Sequence, residues 1–179
     1  MRIFSLFLAI FLAASAQAQP RFGLNEADYA LAQRWLRASC LAPDARPLID
    51  ALSSRRTAMQ TAFAGALAEG PTADEIAAVR GAAANRWRAQ RAFLDDAALK
   101  DALSEDQRQA LRSQSEDAAT RSEVENFING YKSNAMSGLA IVGDGSALDR
   151  LREISMRGNA PEALAARAAL AYRQSLPKH

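Results

Sequence analysis

The sequence predicts an all-α protein, and three observations carry that expectation. From Gln19 onward, 36 of 161 residues are Ala, the strongest helix former. Apolar residues recur at spacings of three and four, the period of a helix face. No stretch keeps the period-two alternation of β-branched and aromatic residues that a strand needs. At 179 residues the length fits one domain.

The first segment reads as an address. Met1-Arg2 is followed by the apolar run IFSLFLAIFLAA and then Ser15-Ala16-Gln17-Ala18. A short positive end, an apolar stretch and small residues in an A-x-A-like pattern make a secretory signal peptide over 1–18, cleaved after Ala18 or Ala16. A membrane anchor is the weaker expectation, because a bilayer span needs roughly 20 apolar residues. The remainder, 19–179, is expected to be a single helical domain in the periplasm, with no membrane anchor after cleavage.

The elements follow in order. Asn25-x-x-Asp28 opens a first helix, with Leu24 and Tyr29 placed for a hydrophobic staple and Leu31, Trp35 and Ala38 as its apolar line. Asp44 can cap a second, running to about Glu69, with Leu48, Leu52, Met59, Phe63 and Leu67 inward and a bend at Ser53-Ser54. Gly70-Pro71 breaks it. Thr72-x-x-Glu75 is a capping box for a third helix to about Leu94, with Ile76, Val79, Ala83, Trp87 and Leu94 on one side. Asp95-Asp96 restarts a short helix, and Ser104-x-x-Gln107 is a further capping box. The polar stretch 112–123 reads as a solvated helix or a soft joint.

Thr120-x-x-Glu123 is expected to start the next helix, whose stripe is Phe127, Tyr131, Ala135, Leu139 and Val142. Gly143-Asp144-Gly145 is a turn. Leu148, Leu151 and Ile154 point inward from the helix after it, and Gly158 suits a left-handed position. Asn159-x-x-Glu162, with Pro161 in the first turn, opens the last helix, lined by Leu164, Ala168 and Tyr172 and ended by Pro177. Two arrangements fit: stacked antiparallel helix pairs forming a short α-solenoid, or a compact helical bundle.

One internal repeat bears on that choice. Ala135-Met-Ser-Gly-Leu-Ala140 aligns with Ala166-Arg-Ala-Ala-Leu-Ala171, and Val142-Gly143-Asp144, Ala147-Leu148 and Leu151 lie between. Over 127–172 the chain resembles bacterial HEAT-like repeats, with a fainter echo at Ala62-Phe-Ala-Gly-Ala-Leu67. The resemblance implies stacked helix pairs serving as a scaffold for protein–protein contact.

Composition narrows the chemistry. The one His is His179 and the one Cys is Cys40, which disfavours His-based catalysis, a His- or Cys-ligated metal and a disulfide framework. The charge is nearly balanced, so neither nucleic acid nor an anionic surface is called for. Arg80, Arg86, Arg88 and Arg91 surround Trp87 and could form an anion-binding patch, but helical phase favours a buried Trp with a solvated arginine face. Asp95-Asp96, Glu116-Asp117 and Glu123/Glu125 are carboxylate pairs. Helical neighbours point about 100° apart, so caps and solvated faces explain them better than acid–base work. Cys40 is most simply a buried thiol.

The expectation is a non-enzymatic, exported module that binds another protein and uses no cofactor or metal. Its partner surface would be the exposed side of the last helix pairs, near Tyr131, Arg150, Arg157 and Arg173. Leu103-Ser104-Glu105-Asp106-Gln107 is also similar to the Leu-Thr-x-x-Gln motif of small periplasmic helical stress chaperones, which implies the alternative of an envelope-stress chaperone. A carboxylate-dependent enzyme is the third expectation.

Overall fold

A computed structural model describes residues 19–38, 46–94, 103–158 and 160–176. It is all-helical, as the sequence predicts, and no strand occurs among the described residues. The elements are α1 (Glu26–Leu36), α2 (Arg46–Ser54), α3 (Arg56–Glu69), α4 (Ala73–Leu94), α5 (Glu105–Ser113), α6 (Glu116–Val142), α7 (Gly145–Ser155) and α8 (Pro161–Ser175). The leader, Cys40, the Asp44 cap, Asp95-Asp96, Asn159 and Pro177 lie outside the described residues.

Helix starts follow the local chemistry. The Asn25 side chain accepts from the Asp28 N–H at 2.9 Å. At α4 the box is reciprocal: the Thr72 hydroxyl accepts from the Glu75 N–H at 3.1 Å, and the Glu75 carboxylate accepts from the Thr72 N–H at 2.7 Å. Ser104 and Gln107 exchange the same pair of bonds at α5. Each satisfies donors that a helix terminus would leave orphaned. The expected bend after Ser53-Ser54 is the break at Arg55, which separates α2 from α3.

Two expectations need correction. The long helix α6 begins not at Thr120 but at Ser115, whose hydroxyl accepts from the Ala118 N–H at 3.1 Å. Glu116 and Asp117 then occupy its first turn, where the helix dipole favours negative charge. Thr120 lies inside the helix and donates back to Glu116 O at 2.9 Å. The joint expected over 112–123 is confined to Gln114 and Ser115, and Trp87 Nε1 donates to Gln114 O at 3.0 Å. The second correction is the phase of α8. Ala163, Ala166 and Ala169 are its buried residues, while Leu164 and Ala168 face outward. The alanine face lets α8 lie close along α6 and against α7.

The 27 residues of α6 extend for about 40 Å, and α1, α2, α3, α4, α7 and α8 all pack on it. The pair α7–α8 does lie side by side, but the pairs meet through this shared helix rather than each on the next. Within the all-α class, this packing on one shared helix corresponds to the compact bundle, the alternative to the stacked-pair α-solenoid that is the leading expectation from the sequence. The core joins Trp35, Leu36, Leu52, Met59 and Phe63 to Tyr131, Met136, Leu139, Val142 and Leu151. Where α3 crosses α6, a Cβ on Gly138 would fall 2.6 Å from the Phe63 ring. Only glycine admits that approach.

Side chains fasten the outer helices to α6. Trp35 Nε1 donates to Asn134 O at 2.7 Å, and Asn134 Nδ2 donates to Leu36 O at 3.0 Å and Ala38 O at 2.8 Å. The exchange gives the open carbonyls at the end of α1 a donor. Asp144 caps α7 by accepting from the Ala147 N–H at 3.1 Å. The Gln60 side chain of α3, and after it the Ala147 N–H and the Ser146 hydroxyl, hold the Asp144 carboxyl down at about 2.

Gly138→Val should lower stability by about 1–3 kcal/mol, the usual effect of overpacking. Gly130→Ala, at an exposed position of the same helix with open space around it, should raise it by up to about 1 kcal/mol. Denaturant melts of the two variants check the opposite signs. Asp144 supports a pH prediction. Its folded value lies below the ordinary 3.8, so its contribution is complete above the ordinary value and is lost as pH falls toward about 2. Asp144→Asn keeps the cap and cannot titrate. Its melting temperature should fall less steeply than the parent's across that window, and parallel curves would refute the assignment.

Candidate functional site

The four residues expected to mark a partner surface do not share one. Tyr131 is 1 % exposed. Its ring sits 6.1 Å from that of Phe127, and its hydroxyl accepts from Gln33 Nε2 at 3.4 Å. Burial raises the Tyr131 pKa, and the hydroxyl stays protonated. Its place in the apolar stripe of α6 takes it off the surface. Arg173 is half-buried and turned inward. It donates to Ala140 O and, at 3.5 Å, to Gly143 O, so it caps the carbonyl end of α6.

Arg150 and Arg157 are exposed, as expected. Neither guanidinium has an acidic partner among the described residues. They sit seven residues apart, on α7 and just past its end. Two large apolar residues of this region are exposed as well: Met156, which the sequence pattern did not single out, at 76 %, and Leu164, expected to line the inside of α8, at 54 %. Arg167 brings the two together. It donates to Ser155 O at 2.8 Å and Gly158 O at 3.0 Å, which holds the start of α8 against the end of α7. Leu164 lies one turn before Arg167, and Met156 lies between the two carbonyls. Ala168 and Ala171 continue the exposed apolar line along α8. This corner presents apolar anchors beside positive charge.

The other constellations are occupied by the fold. Arg86 pairs with Glu123 at 3.0 Å and Arg88 with Glu116 at 2.7 Å, tying α4 to α6. Arg91 stands over the Trp87 ring at 5.3 Å and donates to Arg112 O at 2.6 Å. The arginine–tryptophan patch is therefore a helix-to-helix seam. Asp117 pairs with Arg121 within α6. The Ser104 and Gln107 side chains of the Leu-x-x-x-Gln segment are engaged in their capping box. Among the described residues, no three His, Cys, Asp or Glu side chains gather as a metal site.

A buried polar cluster lies between α1 and α6. Tyr29, Gln33 and Tyr131 are all at least nine-tenths buried, and neither the Tyr29 hydroxyl nor Gln33 Oε1 has a protein partner. Nearby, burial works against ionisation of Glu75, but the Thr72 N–H, then the Arg37 guanidinium, outweigh it and keep the carboxyl below its usual value. Arg37 holds that carboxylate at 2.6 Å. The cluster can donate and accept hydrogen bonds; it holds no nucleophile poised beside a base.

The inner and outer arginines should separate in a stability assay. Arg173→Ala orphans carbonyls at the end of α6 and should cost about 1–3 kcal/mol. Arg150→Ala and Arg157→Ala should stay within about 0.5 kcal/mol of the parent. Equal effects at all three would contradict the inward placement of Arg173. In comparisons with known proteins, no family model, no curated protein and no solved structure matches this chain.

Proposed function

We propose that this chain is a non-catalytic protein-interaction module that works in the periplasm after removal of its leader. The observation that carries the reading is the α7–α8 corner closed by Arg167, where Met156 and Leu164 are exposed, together with the exposed Arg150 on α7 and Arg157 just past its end. Exposed large apolar residues grouped with charge are the usual composition of a binding patch. The HEAT-like resemblance over 127–172 points the same way, since such helix pairs serve as scaffolds. Several charged side chains elsewhere are paired across helix seams, Arg86–Glu123, Arg88–Glu116 and Lys132–Glu162 among them, which supports a structural use for those pairs.

An envelope-stress chaperone is the second reading. It is favoured by an open apolar groove of about 320 Å³ lined by Ala89, Phe93, Leu94, Leu103 and Leu111, with Phe93 44 % exposed. A chaperone would hold unfolded clients there without fixed stoichiometry.

A photo-crosslinking residue at position 156 of the exported protein separates the two. A module gives one adduct of defined mass, and Leu164→Asp abolishes it without moving the melting temperature. A chaperone gives a smear of clients and suppresses aggregation in a manner sensitive to Phe93→Asp and indifferent to Leu164→Asp. If neither position changes any capture, the interaction reading falls.

A further inference from the structure

The first described residues form a pinned strap, with Gln19 and Pro20 exposed ahead of it. Arg21 pairs with Glu69 at 2.8 Å, donates to Gly70 O at 3.2 Å, and lies over the Phe22 ring at 4.6 Å. Phe22 has a left-handed φ of 62°, and its ring covers Gly65 so closely that a Cβ there would fall 2.3 Å from it. A bulky side chain holds such a conformation only where its surroundings fix it. From Arg21 onward the backbone is therefore anchored to α3. Gln19 and Pro20, just before the anchor, are exposed, and neither has a hydrogen bond among the described residues.

The sequence places the expected cleavage directly before Gln19. An amino-terminal glutamine has a reactive arrangement built in. Its α-amine and side-chain amide carbon are spaced to close a five-membered ring, and intramolecular closure of this kind carries a large effective concentration. The α-amino group titrates near neutrality, so a useful fraction is the unprotonated nucleophile. The anchored strap leaves Gln19 exposed, and no hydrogen bond among the described residues holds its side chain from folding back.

We propose that Gln19 is a modification site: after leader removal it cyclises to pyroglutamate. The α-amine nitrogen forms a bond to the side-chain amide carbon, the bond from that carbon to the amide nitrogen breaks, and the nitrogen leaves as ammonia with the proton surrendered by the amine. No oxidant or co-reactant is consumed. The product is a neutral lactam, so the end of the chain loses its positive charge, and the strap ends in a ring followed by Pro20 that lacks the free amine aminopeptidases engage. The inference rests on the export reading above, but not on the partner surface.

Intact-mass analysis of the full-length gene product recovered from the periplasm, fresh and after ageing at neutral pH, tests it. The expected result is a chain beginning at residue 19 and lighter by one ammonia, refractory to stepwise amino-terminal sequencing, with the missing ammonia located at residue 19 by fragmentation of the amino-terminal peptide. Gln19→Ala should give the cleaved chain with no ammonia loss and an open amino terminus. A chain that begins at Gln19 and keeps its full mass after ageing overturns the modification while leaving export intact. Loss of the Gln19-Pro20 pair as a diketopiperazine, or a pyroglutamate at Gln17, also overturns the assignment to Gln19. Retention of Met1 to Ala18 overturns the export reading itself.

Discussion

A helix that touches six others must be narrow on nearly every side, and the second half of α6 meets that demand. From Tyr131 to Val142 its buried residues include Ala135, Gly138 and Ala140, with Met136, Leu139, Ile141 and Val142 between them. Small residues let α3 and α8 come close on different sides, and the larger ones fill the wedges that open between those helices. Gly138 beneath the Phe63 ring is the tightest of these approaches. A second helix as crowded as α6 would need the same scarcity of bulk, and the other helices instead bury a single stripe each.

The first half of α6 is built on a different principle. Between Glu116 and Asn129 only Thr120 and Val124 are buried. Its attachment to α4 runs through exposed arginine–carboxylate pairs and the Trp87 bond to Gln114 O. Exposed ion pairs hold helices in register but add little stability. The molecule thus has a core end, where α1, α2, α3, α7 and α8 meet, and an arm of α4, α5 and the start of α6. The arm buries far less apolar surface. Local opening begins in regions of that kind, well below the free energy of global unfolding.

What was legible in the sequence was what is decided locally. Asn25, Thr72 and Ser104 bond to backbone three residues away, so short words announce them. The start of α6 had a signal too: Ser115 precedes two acidic residues, a cap with a charged first turn, while Thr120 imitated a cap by carrying Glu123 three residues on. The phase of α8 was illegible for a physical reason. Alanines occupy both of its sides, and hydrophobicity ranks Leu164 above Ala163 or Ala166. Packing chose the smaller face because proximity to α6 outweighed the burial of one leucine. Arg173 was unreadable for a related reason: its role depends on where the end of α6 lies in space, and no spacing along the chain encodes that.

That choice of the smaller face also shapes the surface of the protein. By docking α8 through alanines, the fold leaves Leu164 outside, one turn from the arginine that closes the α7–α8 corner. A helix apolar on two sides has gained a second contact line without lengthening. Alanine along that line contributes little area, so a partner would draw most of its binding energy from the two large side chains, Leu164 and Met156, as interfaces generally do from a few anchors. Arg150 and Arg157 are exposed, and under the proposed reading their charge would act on approach and selectivity more than on the final affinity. The same use of small residues that lets six helices pack on α6 therefore also decides which large apolar side chain α8 leaves exposed.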